Sequence, residues 1–247
     1  MKQKERIVVE CFGIPGVGKT HVALRICHML EAEAKSTINP GMHVSRASSF
    51  NRVTKKTILI LRGSIKSPSA LKIVFRLIKL HRPERLHIWL KLIANWLYVR
   101  ALIMDGSLPG AVHVLDQGIG QAVWSTRFYG RESPKPQVVV GSLMKFLDTL
   151  PIASILIVNV AAPGSVVLER LTNRRDGRSP LDKDKGLWER ANEVTIATKC
   201  VLEHLACASE RVSLSDYVNH QSSREPAHKT LRSALGTLIE TRASSIA

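Results

Sequence analysis

The sequence predicts an α/β protein built on a doubly wound parallel sheet of about five strands flanked by helices. Short, β-branched apolar runs recur at 6–12, 111–115 and 152–160, the form of strands buried on both faces, and a further short strand is expected near 211–214. Segments with helical spacing of apolar residues lie between them, and such alternation is the mark of parallel strands joined by helical crossovers. The 247 residues are 45% hydrophobic and 23% charged, enough apolar material for a core of one domain's size.

Taken in order, residues 6–12 (Arg-Ile-Val-Val-Glu-Cys-Phe) are a strand that ends in a glycine-rich turn. After the turn, Val22, Leu24, Ile26, Cys27 and Leu30 are spaced for one side of a helix reaching about residue 33. Residues 35–49 read as irregular, with Asn39-Pro40-Gly41 as a turn. From 50 to 105 the pattern is helical, and Pro68 and Pro83 divide it into roughly three helices, Pro83 as a first-turn proline. Leu86, Trp89, Leu90, Ile93, Leu97 and Leu102 form a stripe expected to face the core. A strand at 111–115 runs into Asp116-Gln117-Gly118, then helices are expected at 119–128 and 138–149. A strand at 152–160, helices at 163–173 and 186–207, a strand at 211–214 and a helix at 225–241 complete the chain. The whole, 1–247, reads as a single domain with a helical insertion at about 50–105.

Composition narrows the class. The longest apolar stretch, 86–104, is interrupted by Lys91 and Arg100, which argues against a membrane-spanning helix. The first residues lack a small-residue cleavage site, and four cysteines form no CxxC pair; a reduced, cytoplasmic chain is the expectation. The formal charge is +16, and residues 51–100 hold twelve Lys or Arg against one acid, a net +11. A phosphorylated substrate, an anionic membrane surface and a nucleic acid all fit such a segment, as does a solvated helix face. Lys72, Arg76 and Lys79 on one helix would suit lipid, giving a peripheral position on the inner membrane surface.

The chemistry is concentrated in three places. Gly13-Ile14-Pro15-Gly16-Val17-Gly18-Lys19-Thr20 matches GxxxxGK[ST] in full, between a strand and a helix. Glycines let backbone N–H groups converge on phosphate oxygens, and the helix presents its positive end to the same anion. Lys19 would reach the β- and γ-phosphates, and the Thr20 hydroxyl would ligate Mg²⁺. Asp116 ends a second apolar strand, where a carboxylate supports Mg²⁺ or accepts a proton from an attacking hydroxyl. Residues 163–190 carry Arg170, Arg174, Arg175 and Arg178 on a helix entering a Gly/Pro loop, a pattern that fits a lid closing on phosphates and equally an exposed basic helix. On the helix after Asp116, Gln121, Trp124 and Arg127 lie three apart. Trp124 could stack on a base and Arg127 bind an anion, or Trp124 could be core and Arg127 a surface charge.

GIPGVGKT, then VHVLDQG, then VLERLTNRRDGR after an apolar strand together resemble the nucleoside and nucleotide kinases with a phosphate-binding loop, thymidylate kinases most. The resemblance covers about 6–34 and 111–215 and implies the P-loop NTPase fold, with ATP and Mg²⁺ as cofactors. It implies that the loop 13–20, with Arg170 and Arg175, binds the nucleotide; that Thr20 and Asp116 hold the metal; and that Lys19, Asp116, Arg174 and Arg178 are catalytic. Residues 50–105 would build the acceptor side, together with Gln117, Gln121, Trp124 and Arg127. The sequence departs from that family at Gln117, where it has Arg, and lacks its Arg-Glu-Pro-Gly segment. The expected function is transfer of the γ-phosphoryl group to a small nucleotide or nucleoside acceptor, anionic or hydroxylated. A sugar, glycan or antibiotic acceptor is the alternative within the kinases. A P-loop NTPase with a regulatory or nucleic-acid-linked role is the alternative outside them, and a homodimer is compatible with either.

Overall fold

The computed structural model describes residues 6–33, 35–39, 68–104, 111–173, 181, 186–219 and 224–246. Among these, five strands form one sheet in the order β2-β3-β1-β4-β5, with every neighbouring pair parallel. The strands are β1 (Arg6–Phe12), β2 (Thr37–Ile38), β3 (Val112–Leu115), β4 (Ile152–Ala161) and β5 (Val212–Val218). The helices are α1 (Lys19–Ala32), α2 (Pro68–His81), α3 (Leu86–Met104), α4 (Ile119–Tyr129), α5 (Pro136–Leu147), α6 (Gly164–Thr172), α7 (Leu187–Ala208) and α8 (Arg224–Ile246).

Val8, Val9, Cys11 and Phe12 are fully buried, as a central strand covered on both faces requires. Side chains alternate across the sheet, so Cys11 and Glu10 face opposite layers. Cys11 lies toward Cys27 of α1, and Glu10 meets the start of α4. On the α1 side, Arg25 donates to Tyr217 of β5 at 3.3 Å and contacts His228 of α8 at 3.0 Å. On the other side α4 and α7 pack together, tied by the Trp124 indole donating to Thr195 at 2.8 Å.

Helices α2 and α3 form an outer layer over α4 and α5. Trp96 of α3 donates its indole N–H to Thr126 of α4 at 2.9 Å and meets Phe146 of α5 edge-on, centroids 5.0 Å apart. The α2–α3 turn is held to the end of α4 by a bridge between Pro83 and Gly130 and by Arg131 and Glu132 amides donating to the His81 carbonyl.

Four details differ from the sequence expectations. Residues 37–38 are an edge strand beside Val112 and His113, inside a stretch expected to be irregular; two residues are too few to show a period. Pro83 precedes α3 by three residues and bridges Gly130 instead of opening the helix. β5 continues to Val218 beyond the expected end, because its alternating polar residues pair with β4 on an edge. The apolar stripe of α3 is also differently phased: Leu97 and Leu102 are buried, but Leu86 and Leu90 are exposed. α3 is apolar nearly all round, so periodicity alone cannot choose its inner face. The first of the expected helices in 50–105, and the Pro40-Gly41 part of the turn, lie outside the described residues.

Candidate functional site

The sheet sets the place of the site before any side chain does. From β1 the chain crosses to one side, toward β2; from its neighbour β3 it crosses to the other, toward β4. A crevice opens where adjacent crossovers diverge, at the carboxyl ends of β1 and β3. The glycine-rich loop 13–18 leaves β1 there, and Asp116 follows β3 directly.

The loop is shaped by residues without side chains. Gly16 and Gly18 have φ of +97° and +93°, in the left-handed region that strains other residues. A Cβ on Gly18 would come within 2.4 Å of the Asn219 amide nitrogen, and one on Gly13 within 2.4 Å of the Val160 carbonyl oxygen. The Val17 carbonyl accepts from Asn219 Nδ2 at 2.7 Å and from Arg170 Nη1 at 3.0 Å. Lys19 folds back over the loop, its ammonium donating to the carbonyls of Gly13 at 2.7 Å and Ile14 at 3.1 Å.

Helix α1 is preceded by Gly18 at its N-cap, with no side-chain cap and no acid in its first turn. The positive end of the helix dipole at this terminus favours an anion. The exposed Thr20 hydroxyl donates to Asp116 Oδ2 at 3.1 Å, joining the two residues expected to hold a metal. Among the described residues no three His, Cys, Asp or Glu side chains converge on a metal position. Thr20 and Asp116 suit Mg²⁺, which takes one or two protein ligands and fills its octahedron with phosphate oxygens and water. The donor set and the uncapped helix end fit a Mg-nucleotide.

A buried carboxylate braces this arrangement. Glu10 of β1 is inaccessible and accepts the backbone N–H groups of Ile119 and Gly120 at 2.5 and 2.6 Å. It thereby fixes the start of α4 and the Asp116–Gly118 turn before it. Gly118 is required by this contact, since a Cβ there would lie 1.9 Å from a Glu10 oxygen. Burial pushes the Glu10 carboxyl up to about 7, outweighing the pull of the two amides in the other direction. Burial, and then the charge of Asp116, raises Tyr98 of α3 to about 12. Burial, then Asp116 and Glu10, also raises the Cys11 thiol, leaving it without thiolate character.

Gly13, Ile14, Pro15, Gly16, Val17, Gly18, Lys19, Thr20, Asp116 and Arg170 are thus brought together. Arg170 stands at the loop backbone, reaching Gly16 at 3.4 Å as well as Val17. Arg174, Arg175 and Arg178 lie outside the described residues. Gln117 is exposed beside Asp116. The three acceptor candidates on α4 do not converge. Gln121 lies in the first turn and is 8% exposed, with no partner for its buried carbonyl oxygen among the described residues. Trp124 is 4% exposed, stacked on Phe128 at 4.8 Å and bonded to Thr195, so it is a core side chain with no open face for a base. Arg127 is buried near His81, two turns along α4 and roughly 12 Å from its start.

Glu10, Tyr98 and Asn219 escaped the sequence expectations. Glu10 had a signal, an acid inside an apolar strand, which demands a compensating partner. Tyr98 and Asn219 had none, because only the packing of α3 brings Tyr98 under the charge of Asp116 and only the extension of β5 brings Asn219 to the loop. Comparison with protein-family models and with curated proteins gives no match for this chain.

Proposed function

We propose that the chain is a kinase of the P-loop type that transfers the γ-phosphoryl group of ATP to a small acceptor carrying a hydroxyl or phosphate. The observation that carries this is the Thr20–Asp116 contact at 3.1 Å beside Lys19 on an uncapped helix end. The P-loop NTPase fold is part of the proposal, supported by the parallel sheet and by the loop at its crevice.

The residues divide the work. The loop amides and the N-terminal end of α1 hold phosphate oxygens, and Lys19 exchanges its two carbonyl partners for the β- and γ-phosphates. Thr20 and Asp116 hold Mg²⁺, which, when bound, neutralises charge on the β- and γ-oxygens. An acceptor oxygen attacks the γ-phosphorus as the bond to the β–γ bridging oxygen breaks. A hydroxyl acceptor would pass its proton to Asp116 only where that carboxylate is not bound to the metal, and a phosphate acceptor needs no such step. Arg170 steadies the loop, and stabilising the transferring group falls to Arg174 and Arg178.

The test is a transfer assay with γ-labelled ATP and Mg²⁺ across nucleosides, nucleotides, sugars and aminoglycosides. The proposal expects one acceptor class to take the label. Release of free phosphate with none labelled, raised by a macromolecule, would make the chain an NTPase instead.

A further inference from the structure

We propose that the outer face of the α2–α3 pair docks on an anionic lipid bilayer, lying in its surface. Among the described residues eight large apolar side chains are exposed, and four of them sit here: Leu71 at 40%, Phe75 at 50%, Leu86 at 76% and Leu90 at 60%. They form one patch. Leu71 and Phe75 are one turn apart on α2, Leu86 and Leu90 one turn apart on α3. The Phe75 and Trp89 rings, centroids 5.0 Å apart, join the two helices between them. A contiguous apolar patch on a water-facing surface marks a contact site.

Charge selects the occupant. Exposed Lys72, Arg76 and Lys79 run along α2 beside Leu71 and Phe75, and exposed Arg85 and Lys91 flank the leucines of α3. The nearby acids are already engaged, Glu84 by Arg131 and Glu132 by Arg82. Among the described residues the face therefore presents cations whose nearby carboxylates are already paired. Leucines set among lysines and arginines suit the boundary where acyl chains meet anionic headgroups. A nucleic acid would use the cations but leave Leu86 and Leu90 unburied, since aliphatic side chains gain nothing from phosphates.

Helix α3 is long and apolar enough to cross a bilayer, yet 44% of that stretch is buried inside the protein. Trp96 is held by Thr126 and Phe146, and Arg100 is 2% exposed. The helix is therefore fixed to the fold along its inner side and meets lipid only along its outer one. This inference stands apart from the kinase proposal, because none of its residues belongs to the loop site.

The test is sedimentation of the full chain with vesicles of phosphatidylcholine alone or with about one third phosphatidylglycerol. The expected result is binding to the anionic vesicles that weakens roughly tenfold in each of two double variants, Leu86→Ser with Leu90→Ser and Lys72→Glu with Arg76→Glu. Thermal melts of both variants, which change only exposed positions, confirm an intact fold. Absence of sedimentation with anionic vesicles overturns the proposal. So does unchanged binding by the leucine variant, and so does a duplex oligonucleotide that binds the wild-type chain as tightly as the vesicles and displaces them. Either of the last two assigns the face to bare charge attraction.

Discussion

At the carboxyl edge of the sheet, polar side chains are held by neighbours: Lys19 by two loop carbonyls, Thr20 by Asp116, Val17's carbonyl by Asn219 and Arg170. On the outer face of α2 and α3 the reverse holds, with leucines facing water beside cations. The first region is held together by contacts within the chain, and the proposed function gives it an anion with a metal. The second is shaped by what it lacks and specifies only the chemistry of a covering surface. Catalysis benefits from preorganised charge, whereas surface docking needs area and field more than fixed positions.

The contrast can be broken at the loop most severely. Lys19→Ala should reduce phosphoryl transfer roughly a thousandfold in a labelled-ATP assay while leaving the melting temperature unchanged. Near-normal transfer would remove Lys19 from the chemistry. Asp116→Asn should lower kcat roughly a hundredfold; if rates stay normal, Asp116 serves only to hold Thr20.

Glu10 couples the loop region to stability. Its folded pKa, about 7, lies above the open-chain value of 4.5, so the native state binds its proton more tightly. Its contribution is fully present below about 4.5 and is lost as pH rises through about 7, a change of about 3 kcal/mol. Denaturant titrations of wild type and Glu10→Gln across that window should differ by this slope. Parallel profiles would show that Glu10 stays ionised throughout. The smallest effect belongs to Trp124→Phe, which loses the bond to Thr195 and should cost about 1 kcal/mol of stability without changing acceptor KM. A raised KM with unchanged stability would return Trp124 to the substrate site.

How much was legible beforehand follows the same division. The loop could be read from sequence because its backbone dictates residue type locally: only glycine tolerates φ near +95° beside Asn219 and Arg170. Parallel strands β1, β3 and β4 were legible as apolar runs, since burial on both faces admits few polar residues, Glu10 with its two amide partners among them. By contrast β2 carries its place in pairing with β3, which two residues cannot announce. Trp124 sits at a spacing that suits a binding face and a core face alike, and the partner that decides, Thr195, is 71 residues away. Leu86 and Leu90 were expected inside for a similar reason. An apolar helix has several faces that could be buried, and its neighbours α2, α4 and α5 choose among them.

The most direct test of the central claim is calorimetric titration of ATP into the protein with and without Mg²⁺, repeated on Thr20→Val and Asp116→Asn. The account predicts binding that Mg²⁺ tightens in the wild type, with that tightening lost in both variants. Binding that ignores Mg²⁺, or variants that keep the full metal effect, would contradict it.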